Sequence, residues 1–255
     1  MSAIRSACAL LLATPAVSQA LPNPDASCKP LRTMAPFNVS TFASGGLDGK
    51  WYVQAQQPII YLPKNEIYCV TATYHQSSAT SVDVDNYANS NRVNGKVSDS
   101  GGTLQAVIKD PSQPSKLEVG PKFLPHILYG PYWVVAAGSV GEDGTTLVEG
   151  ANAAGEYTWA VISGGQPTKV STGSNICGKD MYKLFGKCLP KVGAVGELCA
   201  NGEGVNDSGL WIFSGTPQMA TKELEYLVRT YVVGNGLDPS VLLQVNQTGC
   251  TYSPK

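Results

Sequence analysis

Histidine and charge are both scarce in this chain of 255 residues. Its only histidines are His75 and His126, and charged side chains make up 15% of the sequence. It contains no Gly-x-Ser-x-Gly elbow, no His-Glu-x-x-His pair and no glycine-rich phosphate loop ending in Lys-Ser/Thr. Two histidines without a matching cysteine or serine motif do not indicate a catalytic triad. We therefore predict that the protein is not an enzyme and requires no cofactor.

Long apolar runs are also absent. The first twenty residues carry Arg5 as their only charge, then a short apolar run over 7–13 and small residues up to Ala20. This order is typical of a secretory signal peptide over 1–20. The run is too short to cross a bilayer, and no later run reaches the required length. We expect a secreted, extracellular protein with no transmembrane segment. In an alga with complex plastids, the same segment would begin an address to the plastid and its thylakoid lumen.

A strong excess of charge is missing as well. Removal of residues 1–20 takes away Arg5 and no acidic residue, which leaves 17 basic and 19 acidic residues and a net charge of about −2. This balance gives no reason to expect nucleic acid or an anionic membrane as a partner.

Cysteine, in contrast, is well represented. Removal of Cys8 with the signal peptide leaves six cysteines, an even number that predicts three disulfides in an exported chain. No Cys-x-x-Cys pair occurs and both histidines lie far from the clustered cysteines, so we predict no metal site. Three glycosylation sequons, at Asn38, Asn206 and Asn246, fit the surface loops of a secreted protein. The six cysteines are Cys28, Cys69, Cys177, Cys188, Cys199 and Cys250.

Short β-branched and aromatic runs follow one another from Trp51 onward, separated by Gly, Pro, Asn or Ser. Their spacing is typical of an antiparallel up-and-down barrel or a sandwich. Only Leu224, Leu227, Val228 and Tyr231 show the period of a helix, which Gly234-Asn235-Gly236 would end. The predicted strands lie at 51–56, 68–74, 81–87, 92–97, 103–108, 116–119, 132–136, 157–162 and 210–213.

The chain divides into a lead-in and one folded domain. Residues 21–46 are rich in Pro, Ser and Gly and predict an irregular segment. Residues 47–255 form the predicted domain, with a cysteine-rich insertion over about 164–208, before the last strand. Roughly 45 residues are too few for an independent core without disulfides.

Four motifs in fixed order resemble those of a lipocalin. The likeness spans about residues 47–250 apart from the insertion, and it is closest to the branch of apolipoprotein D, bacterial lipocalin and the lipocalin-like proteins of plants and algae. It implies an all-β fold, an eight-stranded up-and-down antiparallel barrel with one C-terminal α-helix, whose closed end is sealed at Gly49 and Trp51. The motifs are Gly49-Lys50-Trp51-Tyr52, the strand Cys69–Tyr74, the segment Tyr129–Val135 and the last strand with its turn, Leu210–Pro217.

The resemblance also implies a function. Lipocalins bind a small hydrophobic molecule, so we expect binding, transport or storage of a lipid, sterol, carotenoid or chlorophyll-type pigment. If Cys69 points outward, strand alternation turns Val70, Ala72 and Tyr74 inward. The full set of predicted ligand-binding residues is Val53, Ala55, Val70, Ala72, Tyr74, Tyr132, Val134 and Trp159.

By analogy with apolipoprotein D, Cys69 would bond Cys250 and Cys28 would bond Cys177, which leaves Cys188 with Cys199. One position departs from the family: Gly215 stands where an arginine usually stacks on the motif tryptophan. We expect Cys28, tethered to the insertion, to help seal the closed end in its place.

Two alternative functions remain open. The chain has a distant likeness to violaxanthin de-epoxidase, whose chemistry would need an acid in an apolar pocket. Glu66 is the nearest analogue of such an acid in this chain. Asp83 and Asp85 share one face of a strand, and we expect that face to be in contact with solvent. Alternatively, the protein is a non-catalytic subunit that docks on a protein partner through the insertion, whose basic residues are Lys179, Lys183, Lys187 and Lys191.

Overall fold

The computed structural model describes residues 28–98, 103–171, 177–178, 180–191, 193 and 196–252. The predicted signal peptide and Lys179 lie outside the described residues. No helix in these ranges is both long enough and apolar enough to cross a membrane.

The described residues form two α-helices and fifteen β-strands, and most of the strands are short. The helices are α1 (Val39–Ser44) and α2 (Thr221–Leu227). The strands are β1 (Lys50–Gln56), β2 (Tyr68–Gln76), β3 (Ser81–Ser90), β4 (Lys96–Ser98), β5 (Leu104–Ile108), β6 (Lys116–Pro121), β7 (Gly130–Val140), β8 (Leu147–Glu149), β9 (Trp159–Ser163), β10 (Lys169–Val170), β11 (Met181–Leu184), β12 (Lys187–Pro190), β13 (Cys199–Ala200), β14 (Leu210–Ser214) and β15 (Leu243–Gln244).

Eight strands close into an antiparallel barrel. They follow one another in chain order as β1, β2, β3, β5, β6, β7, β9 and β14, and β14 pairs back with β1 through Tyr52 with Ser214 and Gln56 with Trp211. This confirms the predicted barrel. Closure leaves no open edge on these eight strands and gives each of them an inner and an outer face.

One predicted strand is not part of the barrel. Residues 92–97 were expected to be a strand, but β3 continues to Ser90 and a turn through Asn91 and Asn94, both with positive φ, leads into the short β4. Since β4 pairs only with β3, it lies beside the barrel wall.

The predicted C-terminal helix packs against the outside of the barrel. α2 continues through a π-helical segment, Val228–Val232, and a 3₁₀ turn, and it ends at Gly236 in the left-handed conformation. Its apolar side joins the outward faces of β7, β9 and β14 in one buried set, here called the outer cluster. Members are Ala55, Val135, Ala136, Trp159, Val161, Ile212, Leu224, Leu227, Val228, Val232 and neighbouring residues.

The lead-in is not irregular throughout, as residues 21–46 were expected to be. It contains α1, whose N-cap Asn38 accepts hydrogen bonds from the backbone N–H groups of Ser40 and Thr41. With six residues, α1 is too short to show a helical period in the sequence, and packing stabilises it. Its buried face, Val39, Phe42 and Ala43, covers the barrel end.

The described residues of the insertion between β9 and β14 do not form a core of their own. It forms two small antiparallel sheets, β10 with β13 and β11 with β12. Tyr182, Leu184 and Leu198 of this segment belong to the outer cluster. The insertion therefore packs on the same side of the barrel as the C-terminal helix.

The structure contains three disulfides, and two of them differ from the expected pairs. Cys69 bonds Cys250, as the resemblance implied. The expected pairs Cys28 with Cys177 and Cys188 with Cys199 are wrong, because the structure joins Cys28 to Cys199 and Cys177 to Cys188.

The packing of the lead-in gives the reason for this correction. The Leu31 N–H donates to the side-chain oxygen of Gln166, and the Gln166 amide donates to the Lys29 carbonyl. These bonds hold the lead-in beside β10 and so bring Cys28 next to Cys199 on β13. The hairpin of β11 and β12 then brings Cys188 back toward Cys177.

The disulfides give a test of the fold. We expect the double variant Cys69→Ser/Cys250→Ser to lose roughly 5 kcal/mol in the free energy of unfolding and Cys177→Ser/Cys188→Ser about 3 kcal/mol, because the first bond closes a much longer loop. The separations are 181 and 11 residues. Urea unfolding without reductant measures both, and a larger loss for the short loop would contradict the assignment.

Candidate functional site

A β-bulge in β1 decides which of its side chains face the interior. The register with β14 shifts between Val53 and Ala55. Val53 faces inward, but Gln54 and Ala55 both lie outside: the Gln54 amide donates to the Thr216 carbonyl, and Ala55 belongs to the outer cluster. The alternation of inward and outward side chains is therefore reversed after the bulge, and Gln56 faces inward.

The closed end of the barrel is filled by aromatic rings. Trp51 is fully buried, its indole N–H donates to the Phe42 carbonyl, and its ring stacks on that of Phe42 at 5.3 Å. Phe42 in turn meets the ring of Tyr74 edge-on at 5.2 Å. The helix α1 therefore seals the barrel at Trp51, as the lipocalin motif implied for this residue.

Gly49 and Gly215 allow the close packing at this end. Gly49 has a φ of +80°, and a Cβ there would lie 2.6 Å from the Tyr74 carbonyl oxygen. A Cβ at Gly215 would lie 3.0 Å from the Cα of Gly46, so the backbone fills the place of the usual arginine. The expectation that Cys28 helps to seal this end is wrong. Cys28 is tethered to the insertion through Cys199, but the insertion joins the ends of β9 and β14 at Ser163 and Leu210, which lie at the opposite end of the barrel from Trp51.

Toward the other end, the barrel encloses a cavity. Its volume is about 90 Å³. Aliphatic and aromatic side chains form most of its wall, and none of the described lining residues is an Asp, Glu, Lys, Arg or His. The wall includes Val53, Val70, Ala72, Tyr74, Val84, Ala106, Val119, Tyr132, Trp211 and Phe213.

Five of the eight predicted ligand-binding residues line this cavity: Val53, Val70, Ala72, Tyr74 and Tyr132. Val134 faces the interior, but it is packed in the inner core and is not part of the cavity wall.

Ala55 and Trp159 were wrongly placed in the interior. The bulge turns Ala55 outward, and the alternation of β9 places Ala160 and Ile162 inside and Trp159 outside. The Trp159 indole N–H donates to the Ser139 carbonyl, and its ring lies 4.9 Å from that of Tyr231 on the C-terminal helix. Trp159 thus joins the helix to the barrel wall.

A hydrogen bond between two tyrosines crosses the interior. The hydroxyls of Tyr74 on β2 and Tyr132 on β7 are 2.6 Å apart, and these two strands are on opposite sides of the eight-stranded barrel. Both rings are buried, and Tyr74 contacts Phe42 of the closed end. The pair therefore forms the floor of the cavity. Burial raises the pKa of both tyrosines, so both are neutral at physiological pH.

Sequence reasoning missed Trp211 and Gln56 in the cavity wall. Trp211 alternates with the outward Leu210 and Ile212, but the register of this strand was not fixed by sequence. The Trp211 ring lies over Gly209, where a Cβ would come within 2.1 Å of it. Gln56 was hidden by the bulge, which the sequence does not signal.

A loop over residues 57–62, the mouth loop, covers the cavity. Ile59, Tyr61 and Leu62 contribute to the wall. The Gln57 side-chain amide donates to the Gly202 carbonyl at 3.0 Å, and the Ile60 N–H donates to the Glu203 carbonyl at 3.1 Å. The end of the insertion therefore holds the mouth loop in place.

None of the acidic residues considered for de-epoxidation lines the cavity itself, although Glu66 bonds a residue of the wall. Asp83 alternates with the inward Val82 and Val84 and pairs with Lys122. Partial burial raises the pKa of Asp83, but hydrogen bonds from Lys122 and Gln105 lower it, and the net shift is downward. Asp85 lies on the same outer face, and Glu66 accepts a hydrogen bond from Ser98 at the cavity edge.

Other predicted sites are at the surface. The three sequon residues, Asn38, Asn206 and Asn246, are all exposed. Of the insertion lysines, Lys187 is exposed and Lys183 and Lys191 are half-buried. Within the described ranges, no group of three or more His, Cys, Asp or Glu side chains could hold a metal ion.

The tyrosine pair predicts a pH dependence of stability. Unfolded tyrosines ionise near pH 10, whereas Tyr74 and Tyr132 keep their protons to higher pH in the fold, so stability falls as pH rises above 10. Each contributes a slope of up to about 1.4 kcal/mol per pH unit. We expect Tyr74→Phe/Tyr132→Phe to retain its stability near pH 7 and to show a shallower decline above pH 10 in chemical unfolding. Equal slopes would contradict this assignment.

No protein-family model and no curated protein matches this chain. Among solved structures, it is similar to apocrustacyanin C2 at 10% identity and a TM-score of 0.40, over 86% of this chain and 91% of that one. It is similar to H1 crustacyanin from the lobster Homarus americanus at 10% identity and a TM-score of 0.41, over 87% and 91%. The siderocalin Ex-FABP gives 11% identity and a TM-score of 0.34, over 80% and 93%. Similarities this low carry no information on function, and the barrel assignment rests on the strand pairing itself.

Proposed function

We propose that this protein is a lipocalin-type carrier that binds a small hydrophobic molecule inside its barrel. The observation that carries this proposal is the enclosed cavity, whose described wall is mostly apolar and contains no charged side chain. Burial of apolar surface supplies about 25 cal/mol per Å² in such a site. The few polar groups of the wall would orient the ligand.

The size of the cavity favours a compact ligand. A cavity of about 90 Å³ has room only for a compact molecule. A short apolar chain or a small ring fits this space. An extended carotenoid, a sterol or a chlorophyll-type pigment would require the mouth loop to move, and we therefore favour a short-chain lipid-like molecule.

The setting of the protein supports a carrier that works outside the cytosol. The three disulfides fit an oxidising compartment. With the signal-like segment 1–20, they support export from the cytosol. The exposed sequon residues support glycosylation, and the bond between Cys69 and Cys250 supports the apolipoprotein D branch.

Trp211 provides a direct test, because it is in the cavity wall whereas Trp133 faces outward beneath Lys116. A short bromoalkane quenches tryptophan on contact. We expect the bromoalkane to quench the fluorescence of the wild type saturably. This quenching should persist in Trp133→Phe, and most of it should be lost in Trp211→Phe.

Two results would contradict the carrier proposal. Saturable quenching that persists in Trp211→Phe would place the probe elsewhere. An absence of quenching, together with an empty protein in native mass spectrometry of material purified without detergent, would favour the docking-subunit hypothesis.

A further inference from the structure

Gln56 carries a fully buried amide without a hydrogen-bond partner among the described residues. It has 0% exposure, and it lines the cavity just before the mouth loop. Neither its amide nitrogen nor its side-chain oxygen makes a hydrogen bond in the described structure. A buried amide with both polar atoms unpaired lowers stability, because it has left water without compensation.

The neighbouring Gln54 shows what a structural glutamine does in the same strand. Its amide donates to the carbonyls of Thr216 and Pro217, and its oxygen accepts from the Met219 N–H. These bonds tie β1 to the segment that precedes α2. Gln56 makes no such contact, although the bulge in β1 gives both residues fixed positions. Its amide therefore has hydrogen-bonding capacity that no described residue uses, and it belongs to the cavity wall.

The chemistry of the amide selects the complementary group. A glutamine presents one acceptor oxygen and an NH₂ donor side by side. A carboxamide or a lactam presents the same two groups and can form two hydrogen bonds with it. A carboxylate offers two acceptors and no donor, and none of the described wall residues has a positive charge to neutralise it.

We propose that Gln56 recognises the head group of the ligand and that this head group is an uncharged carboxamide or lactam on a short apolar body. This inference rests on the proposed function, since it names the polar end of the molecule that the barrel binds. The apolar body would lie toward Phe213 and the tyrosine floor.

The unpaired amide of Gln56 lowers the stability of the fold even when no ligand is bound. Replacing an unpaired buried amide by an apolar side chain of similar size removes a desolvation penalty. We expect Gln56→Leu to unfold at the same denaturant midpoint as the wild type or at a higher one. The matched control Gln54→Leu should unfold at a lower midpoint, because it loses the hydrogen bonds that tie β1 to the segment before α2.

The binding test compares hexanamide with 2-heptanone, which has the same shape and carries a methyl group in place of the NH₂. Each displaces the bromoalkane probe and restores Trp211 fluorescence, which gives the two affinities. We expect the amide-to-ketone affinity ratio to be about tenfold greater in the wild type than in Gln56→Leu, because the ketone keeps the carbonyl acceptor and the ratio isolates the one hydrogen bond that the ligand NH₂ donates to the Gln56 oxygen. Hexanoate should bind the wild type more weakly than hexanamide.

The outcomes separate this inference from the carrier proposal. If both probes bind and their ratio is unchanged in Gln56→Leu, as when a buried water satisfies the amide, the inference is overturned and the carrier proposal stands. A drop in the unfolding midpoint of Gln56→Leu as large as that of Gln54→Leu would also overturn it. If neither hexanamide, 2-heptanone nor the bromoalkane binds, the carrier proposal itself fails.

Discussion

Pairing of β1 with β14 closes the barrel, and the interior exists because of this contact. β1 also pairs with β2 and β15, so its register is constrained on both edges. The strand meets these constraints with a bulge after Val53, which places two successive residues outside. The same bulge turns Gln56 into the cavity. Closure of the wall and the placement of its least satisfied polar group thus have one structural cause.

Closure also divides the apolar residues into two sets with different tasks. The inner set fills the closed end around Trp51 and surrounds the cavity, whereas the outer cluster attaches the C-terminal helix and the insertion to the wall. The bond between Cys28 and Cys199 joins the lead-in to the insertion, and Met34 then donates its N–H to the Val134 carbonyl. The segments outside the eight strands therefore support the barrel from both ends. The insertion reaches the cavity wall at the mouth loop and near Pro131.

The sequence predicted most of the barrel because strand alternation and turn residues are local signals. The motif at Trp51, the helix from Leu224 and the inward residues Val70, Ala72 and Tyr74 needed no long-range information. The errors have long-range causes. Ala55 was misplaced by a bulge that forms only when β1 meets β14, and the pairing of Cys28 depends on contacts with Gln166, more than a hundred residues away. Trp159 was misplaced because two faces of a short apolar strand cannot be told apart without its neighbours.

The polar groups of the cavity wall differ in whether the fold provides them with a hydrogen-bond partner. Tyr74 and Tyr132 satisfy each other across the barrel, so their hydroxyls hold opposite walls together at little cost. Gln56 has no such partner and lowers the stability of the empty barrel. Leucine would fill the same position without that penalty, and proteins accept a destabilising group of this kind mainly where it contributes to function. An apolar wall alone binds many small molecules and discriminates poorly among them. If the barrel binds a ligand as proposed, selectivity would come from polar groups that the fold leaves unsatisfied, and Gln56 is such a group in the described wall.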